Sequence, residues 1–152
     1  MINHLIYITN PYSSAVVESQ VYKLLEYFSH TDQFKEITLI QIYNNKKNLA
    51  QTLSVLDKYT FNKIFIKGKI GFFSKINPLN HRISKVLAKI IYSDQFIIHT
   101  RTEIIGYFTI NALKKLNLPL NLLVDFRGAT KDEIEFRINN EKRNIYLELQ
   151  KY

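Results

Sequence analysis

The sequence predicts an α/β domain, a parallel β-sheet with helices on both faces. Two observations predict it. Five short runs rich in isoleucine, leucine, valine and phenylalanine recur along the 152 residues, and the intervals between them carry apolar residues at helical spacing. A third observation bounds the class: 46% hydrophobic residues, 22% charged, 3 prolines and 4 glycines describe an ordered globular chain and exclude a linker or a disordered tail.

The strands are predicted over residues 5–9, 37–43, 63–67, 95–99 and 121–126. After the first, Val17, Val21, Leu24, Leu25 and Phe28 fall on one helical stripe, with Ser13 or Ser14 as N-cap. Leu49, Leu53 and Leu56 repeat the pattern more weakly. Ile83, Val86, Leu87, Ile90 and Ile91 mark a third helix, and Ile105, Ala112, Leu113 and Leu116 a fourth. Glu103 stands early in that helix and Lys114 and Lys115 late, as the helix dipole favours, and Pro119 ends it. Thr100 with Glu103, and Thr130 with Glu133, read as capping boxes at two strand-to-helix turns. In open parallel sheets ligands bind beyond the carboxyl ends of the strands, which directs attention to the residues just before these caps. Ile134, Ile138, Ile145, Leu149 and Tyr152 then recur at near-helical intervals, and nothing closes that helix, so the chain is expected to be one part of a longer protein.

Composition excludes several chemistries. Without cysteine there are no disulfides, thiolate metal sites or cysteine nucleophiles, and a cytoplasmic setting is the simpler expectation. The N-terminus lacks the basic region and cleavage site of a signal peptide, and no apolar run approaches the ~18 residues of a membrane span. A dinucleotide-dependent oxidoreductase would need G-x-G-x-x-G after the first strand; the glycines stand at 68, 71, 106 and 128. The serine-hydrolase elbow G-x-S-x-G is also missing. The net charge of +8 favours anionic partners without choosing among nucleic acid, acidic lipid and phosphorylated ligands.

Two segments carry a family resemblance. Phe96-Ile-Ile-His-Thr-Arg101, then a helix, then Leu122-Leu-Val-Asp-Phe-Arg-Gly128 with Glu133, resembles the family-4-type bacterial glycosyltransferases of the GT-B fold, which often read His-x-Arg after one strand and Asp-x-Arg-Gly with a following Glu after the next. The opening strand and turn, Ile6 to Ser14, stands where such enzymes close a loop over acceptor and donor. The resemblance implies that residues 1–152 form a single Rossmann-like N-terminal, acceptor-binding domain, one half of a GT-B glycosyltransferase. The C-terminal nucleotide-sugar-binding domain, with its paired glutamates, is absent from this chain. It further implies a glycan or polyprenyl-linked acceptor, a nucleotide sugar as donor substrate of the missing domain, and neither cofactor nor metal. The first loop departs from the family pattern, having Asn10-Pro-Tyr-Ser13 where many relatives carry glycines.

The resemblance and the strand ends together nominate residues. His99 is the candidate catalytic group, placed to contact an acceptor sugar or accept its hydroxyl proton, as an imidazole titrating near neutrality can. Asn10, Tyr12, Ser13, His99, Arg101 and Arg127 are candidate acceptor contacts, the arginines offering a rigid fork to phosphate or carboxylate. Structural alternatives stand beside each: His99 bonding the turn, Arg101 paired with Glu103, Asp125 or Glu133, and Arg127 tying the fifth strand to its loop. Asp125, Gly128 and Glu133 read as structural residues at the cleft edge. Phe72, Phe73, Lys69 and Lys75 mix aromatic wedges with positive charge, which suits the anionic inner face of a membrane. A standalone Rossmann-like module for a phosphorylated ligand or nucleic acid is the alternative reading, with nucleic acid the less favoured partner.

Overall fold

A computed structural model describes residues 2–9, 15–68 and 78–125. Five parallel strands, β1 (His4–Thr9), β2 (Glu36–Tyr43), β3 (Asn62–Lys67), β4 (Phe96–Arg101) and β5 (Leu122–Asp125), form one sheet in the order β3-β2-β1-β4-β5. The predicted α/β class and all five predicted strands are observed, with β4 running two residues past its predicted end at His99. The helical segments are α1 (Ala15–Val17), a π segment (Glu18–Tyr22), α2 (Lys23–Ser29), α3 (Lys46–Leu56), α4 (Pro78–Ile90) and α5 (Glu103–Lys115).

Side-chain alternation divides the interior into two layers. Leu5, Tyr7, Ile37 and Leu39 point to one face and pack with Val17, Val21, Tyr22, Leu25 and Leu56 from the first three helices. Ile6, Ile8, Ile40, Ile42 and Ile98 point to the other and pack with α4 and α5. Helices therefore cover both faces, and the central strand β1 is buried along its whole length. Each fully buried isoleucine or leucine contributes about 1.5–3 kcal/mol relative to leaving it exposed. The chain crosses from one face to the other between β3 and β4, so β1 and β4 flank the topological switch point.

The first helix differs from the predicted stripe. Its middle is a π segment, in which i to i+5 bonds replace i to i+4. Tyr22, five residues after Val17, thereby joins the buried stripe, while Leu24 turns outward at 40% exposure. In α3 only Leu56 of the three predicted leucines is fully buried; Asn45 caps the helix by accepting from the Asn48 amide at 2.9 Å.

The turn into α5 also differs. β4 continues through Thr100 and Arg101, and the Thr102 amide still bonds the Asp125 carbonyl at 3.0 Å. The N-cap is accordingly Thr102, with φ of 98°, and not Thr100, whose buried side chain lies within the strand. Glu103 in the first turn and Lys114 and Lys115 in the last stand as the dipole requires. α5 closes in a Schellman motif: Asn117 adopts φ of 53°, and the amides of Leu118 and Asn117 bond the carbonyls of Leu113 and Lys114.

Candidate functional site

The carboxyl edge of β1, β2, β4 and β5 gathers polar side chains on the face that carries the π segment. Thr9 pairs with Gln41 across β1 and β2, and Arg101 with Asp125 across β4 and β5. The β1–β4 ladder ends at Ile8 and Thr100, so Thr9 and Arg101 are the next pair and share a face with Tyr7 and His99. Above them the π segment supplies two groups. Tyr22 donates its hydroxyl to Gln41 Oε1 at 3.0 Å, and Arg101 Nη2 reaches Gln20 Oε1 at 3.4 Å.

Two of these groups are buried without a bonding partner. Thr9 Oγ1 and Arg101 Nη1, both on this face, are two of the four buried side-chain polar atoms left unsatisfied among the described residues; a third, Thr100 Oγ1, lies on the opposite face beside Gly106 of α5. A buried donor or acceptor without a partner costs about 1–3 kcal/mol, more when charged. Such groups are rare in folded proteins, and two of them stand in neighbouring strands at this edge, which makes it the candidate site. No carboxylate among the described residues forms an ion pair with Arg101. Burial pushes the Tyr22 phenol up to about 12 against the opposing field of Arg101, so Tyr22 stays a protonated donor. Thr102, next in the chain, holds a backbone conformation that costs a non-glycine residue about 1–3 kcal/mol and clusters at functional sites.

His99 lies in this neighbourhood but not where a strand-ending residue would. Two residues of β4 follow it, and its half-buried ring packs on Tyr7 with centroids 4.6 Å apart and planes at 54°. It stands one strand repeat, about 7 Å, before Arg101 on the same face. Asp125 sits opposite Arg101 in register at the end of β5. The structure thus brings His99, Arg101 and Asp125 together. Asn10, Tyr12, Ser13, Lys69, Phe72, Phe73, Lys75, Arg127, Gly128, Thr130 and Glu133 lie outside the described residues. Of the basic stretch, Arg82 is described and donates to the Lys67 carbonyl.

A concavity at the opposite, amino end of the sheet is lined by Asn3, His4, Glu36 and Tyr92. It is the weaker candidate: open α/β sheets bind ligands at the carboxyl ends, and His4 is already engaged, its Nε2 lying 2.9 Å from Thr38 Oγ1 and its Nδ1 3.8 Å from Glu36. Among the described residues no three His, Asp or Glu side chains group as metal ligands, and no helix is long and apolar enough to cross a membrane.

Thr9, Gln20, Tyr22 and Gln41 were not among the residues nominated from sequence. One signal was available: Gln41 interrupts the otherwise apolar run Leu39-Ile-Gln-Ile42, and a polar side chain in a strand covered on both faces requires a partner. Comparison with protein-family models and with curated proteins finds no match to this chain.

Proposed function

We propose that this domain is the acceptor-binding half of a GT-B glycosyltransferase that moves a sugar from a nucleotide-sugar donor to a cell-surface polysaccharide or lipid-linked glycan. One observation carries the reading. The two segments that resemble the family, Phe96–Arg101 and the stretch beginning at Leu122, are far apart in sequence yet adjacent in the sheet, with Arg101 opposite Asp125 at the carboxyl edge. A motif split in this way makes physical sense if both halves serve one ligand.

In this reading the sugar hydroxyls of the acceptor meet Thr9, Arg101 and His99. Transfer joins the acceptor oxygen to the anomeric carbon, breaks the bond from that carbon to the nucleoside diphosphate, and passes the hydroxyl proton to a base. His99 is the residue nominated for that contact. The nucleotide sugar belongs to a second domain, and the basic stretch around Lys69, Phe72, Phe73 and Lys75 would hold the domain at the inner face of an anionic membrane.

The test is saturation-transfer NMR of the chain with polyprenyl-linked saccharides and with the same saccharides free. The expected result is contact concentrated on sugar protons and lost on His99→Ala. The alternative, a standalone module for a phosphorylated ligand or nucleic acid, draws on the +8 charge. Saccharides giving no contact, with oligonucleotide binding that falls steeply with salt, would establish it instead.

A further inference from the structure

We infer that Arg101, with Thr9 and Gln20 beside it, forms a subsite for a single phosphate or diphosphate group. The inference rests on the carboxyl edge being the ligand site and specifies the chemistry one part of it takes.

The argument starts from the guanidinium. Nη1 is buried and has no acceptor, Nη2 has only a long bond to the neutral Gln20 amide, and no described carboxylate pairs with the group. An arginine kept for stability is normally found against a carboxylate or several carbonyls, because burying an unpaired charge is expensive. Here the residue is half-buried with Nη1 fully enclosed, and among the described residues nothing offsets that expense. The complement that satisfies a planar fork of donors is a set of anionic oxygens, phosphate above all.

Two further features point to the same spot. Thr9 is fully buried with an unsatisfied hydroxyl on the same face, in the adjoining strand, and offers a second donor. α5 begins two residues after Arg101; the Ile105 and Gly106 amides of its first turn are taken by Thr102, whereas those of Glu103 and Ile104 precede the first intrahelical bond, and thirteen aligned peptides add their partial positive charge there. Gln20 holds the arginine from the π segment, the one π-helical stretch among the described residues.

The probes are inorganic phosphate and pyrophosphate, titrated into the full chain by NMR or calorimetry. Saturable binding of at least one is expected, weakening as salt rises, reduced at least tenfold by Arg101→Ala and partly restored by Arg101→Lys. Arg101→Met supplies the readout that a structural arginine would not give: the melting temperature holds or rises while phosphate binding is lost. Absence of phosphate binding, binding untouched by Arg101→Ala, or a marked fall in melting temperature for Arg101→Met would each overturn the inference. Short-chain polyprenyl diphosphate and nucleoside diphosphate, compared in parallel, decide whether the phosphate belongs to a lipid or a nucleotide. Saccharide contact that survives when phosphate fails to bind would remove this subsite and leave the acceptor reading standing; phosphate binding without saccharide contact would do the reverse.

Discussion

The hydroxyl of Tyr22 donates to Gln41 Oε1 at 3.0 Å, joining the π segment to β2 just below the carboxyl edge of the sheet. The acceptor is buried, and the Gln41 amide is separately committed to the Ile42 carbonyl at 3.1 Å. Tyr22→Phe should therefore remove one buried hydrogen bond and cost about 0.5–1.5 kcal/mol. Tyr22→Phe combined with Gln41→Leu should recover part of that loss, because both polar ends are then gone. Urea denaturation of the three variants checks the cycle; strictly additive losses would mean that the bond contributes nothing.

Stability should depend on pH through His4. Burial lowers its pKa, against the opposing field of Glu36 and a backbone bond to Ile90. The folded chain thus prefers the neutral ring, while the unfolded chain takes up a proton near pH 6.5. The contribution is complete above that value and is lost as pH falls below it, until the depressed folded pKa is reached. Thermal melts between pH 7.5 and 5.5 should show this fall, flattened in His4→Gln and steepened in Glu36→Gln, where the compensating carboxylate is gone. Glu18 and Glu26 cannot produce the same signal. Glu18 is lowered by Lys58 and then Tyr59, and Glu26, despite burial acting to raise it, by its bonds to Thr60; both lose their contributions only at more acidic pH.

Gly106 lets α5 approach β5 closely. A Cβ there would meet Val124 Cγ2 at 2.9 Å and Cγ1 at 3.0 Å, with Thr100 Oγ1 at 3.4 Å. Both methyls of the valine are in the way, so no rotation of χ1 clears the space, and overpacking of this kind costs about 1–3 kcal/mol. The roughly 1 kcal/mol gained by replacing a helical glycine with alanine does not offset it. Gly106→Ala should destabilise the wild-type background and stabilise Val124→Ala. The same sign in both backgrounds would show that the contact is not what selects glycine.

At Thr102 the expected effect of glycine is the opposite. The residue pays for a φ of 98°, and its cap bond to the Ile105 amide is a long 3.5 Å. Glycine is tolerated at an N-cap at a cost of a few tenths of a kcal/mol and adopts this φ freely. Thr102→Gly should raise stability by about 1 kcal/mol, whereas Thr102→Ala keeps the strain, loses the bond and lowers it. A melting temperature that drops in both variants would refute the strain.

The strands were legible because each is a continuous apolar run, the mark of a strand covered on both faces, and their positions need only local sequence. The order β3-β2-β1-β4-β5 depends on which runs meet and has no local signature. The capping error has a definite cause: threonines stand at both 100 and 102, and Glu103 favours the earlier one by spacing. The longer β4–β5 ladder, fixed by Arg101 opposite Asp125, decides for the later one. Site legibility divided in the same way. His99, Arg101 and Asp125 could be named from the segments that carry them, whereas Thr9, Gln20, Tyr22 and Gln41 become a group only through the π segment and the strand pairing.

The two apolar layers differ in how much chain each requires. Among the described residues, every buried member of the layer under the first three helices lies between Leu5 and Phe61, whereas the layer under α4 and α5 draws on residues from Ile6 to Leu113. A polypeptide emerging from the ribosome therefore holds all these buried side chains of the first layer once the first 61 of the 152 residues have been made. The half containing β1, β2 and β3 is a natural early unit of assembly, and the switch point between β1 and β4, with the polar groups that surround it, is completed last.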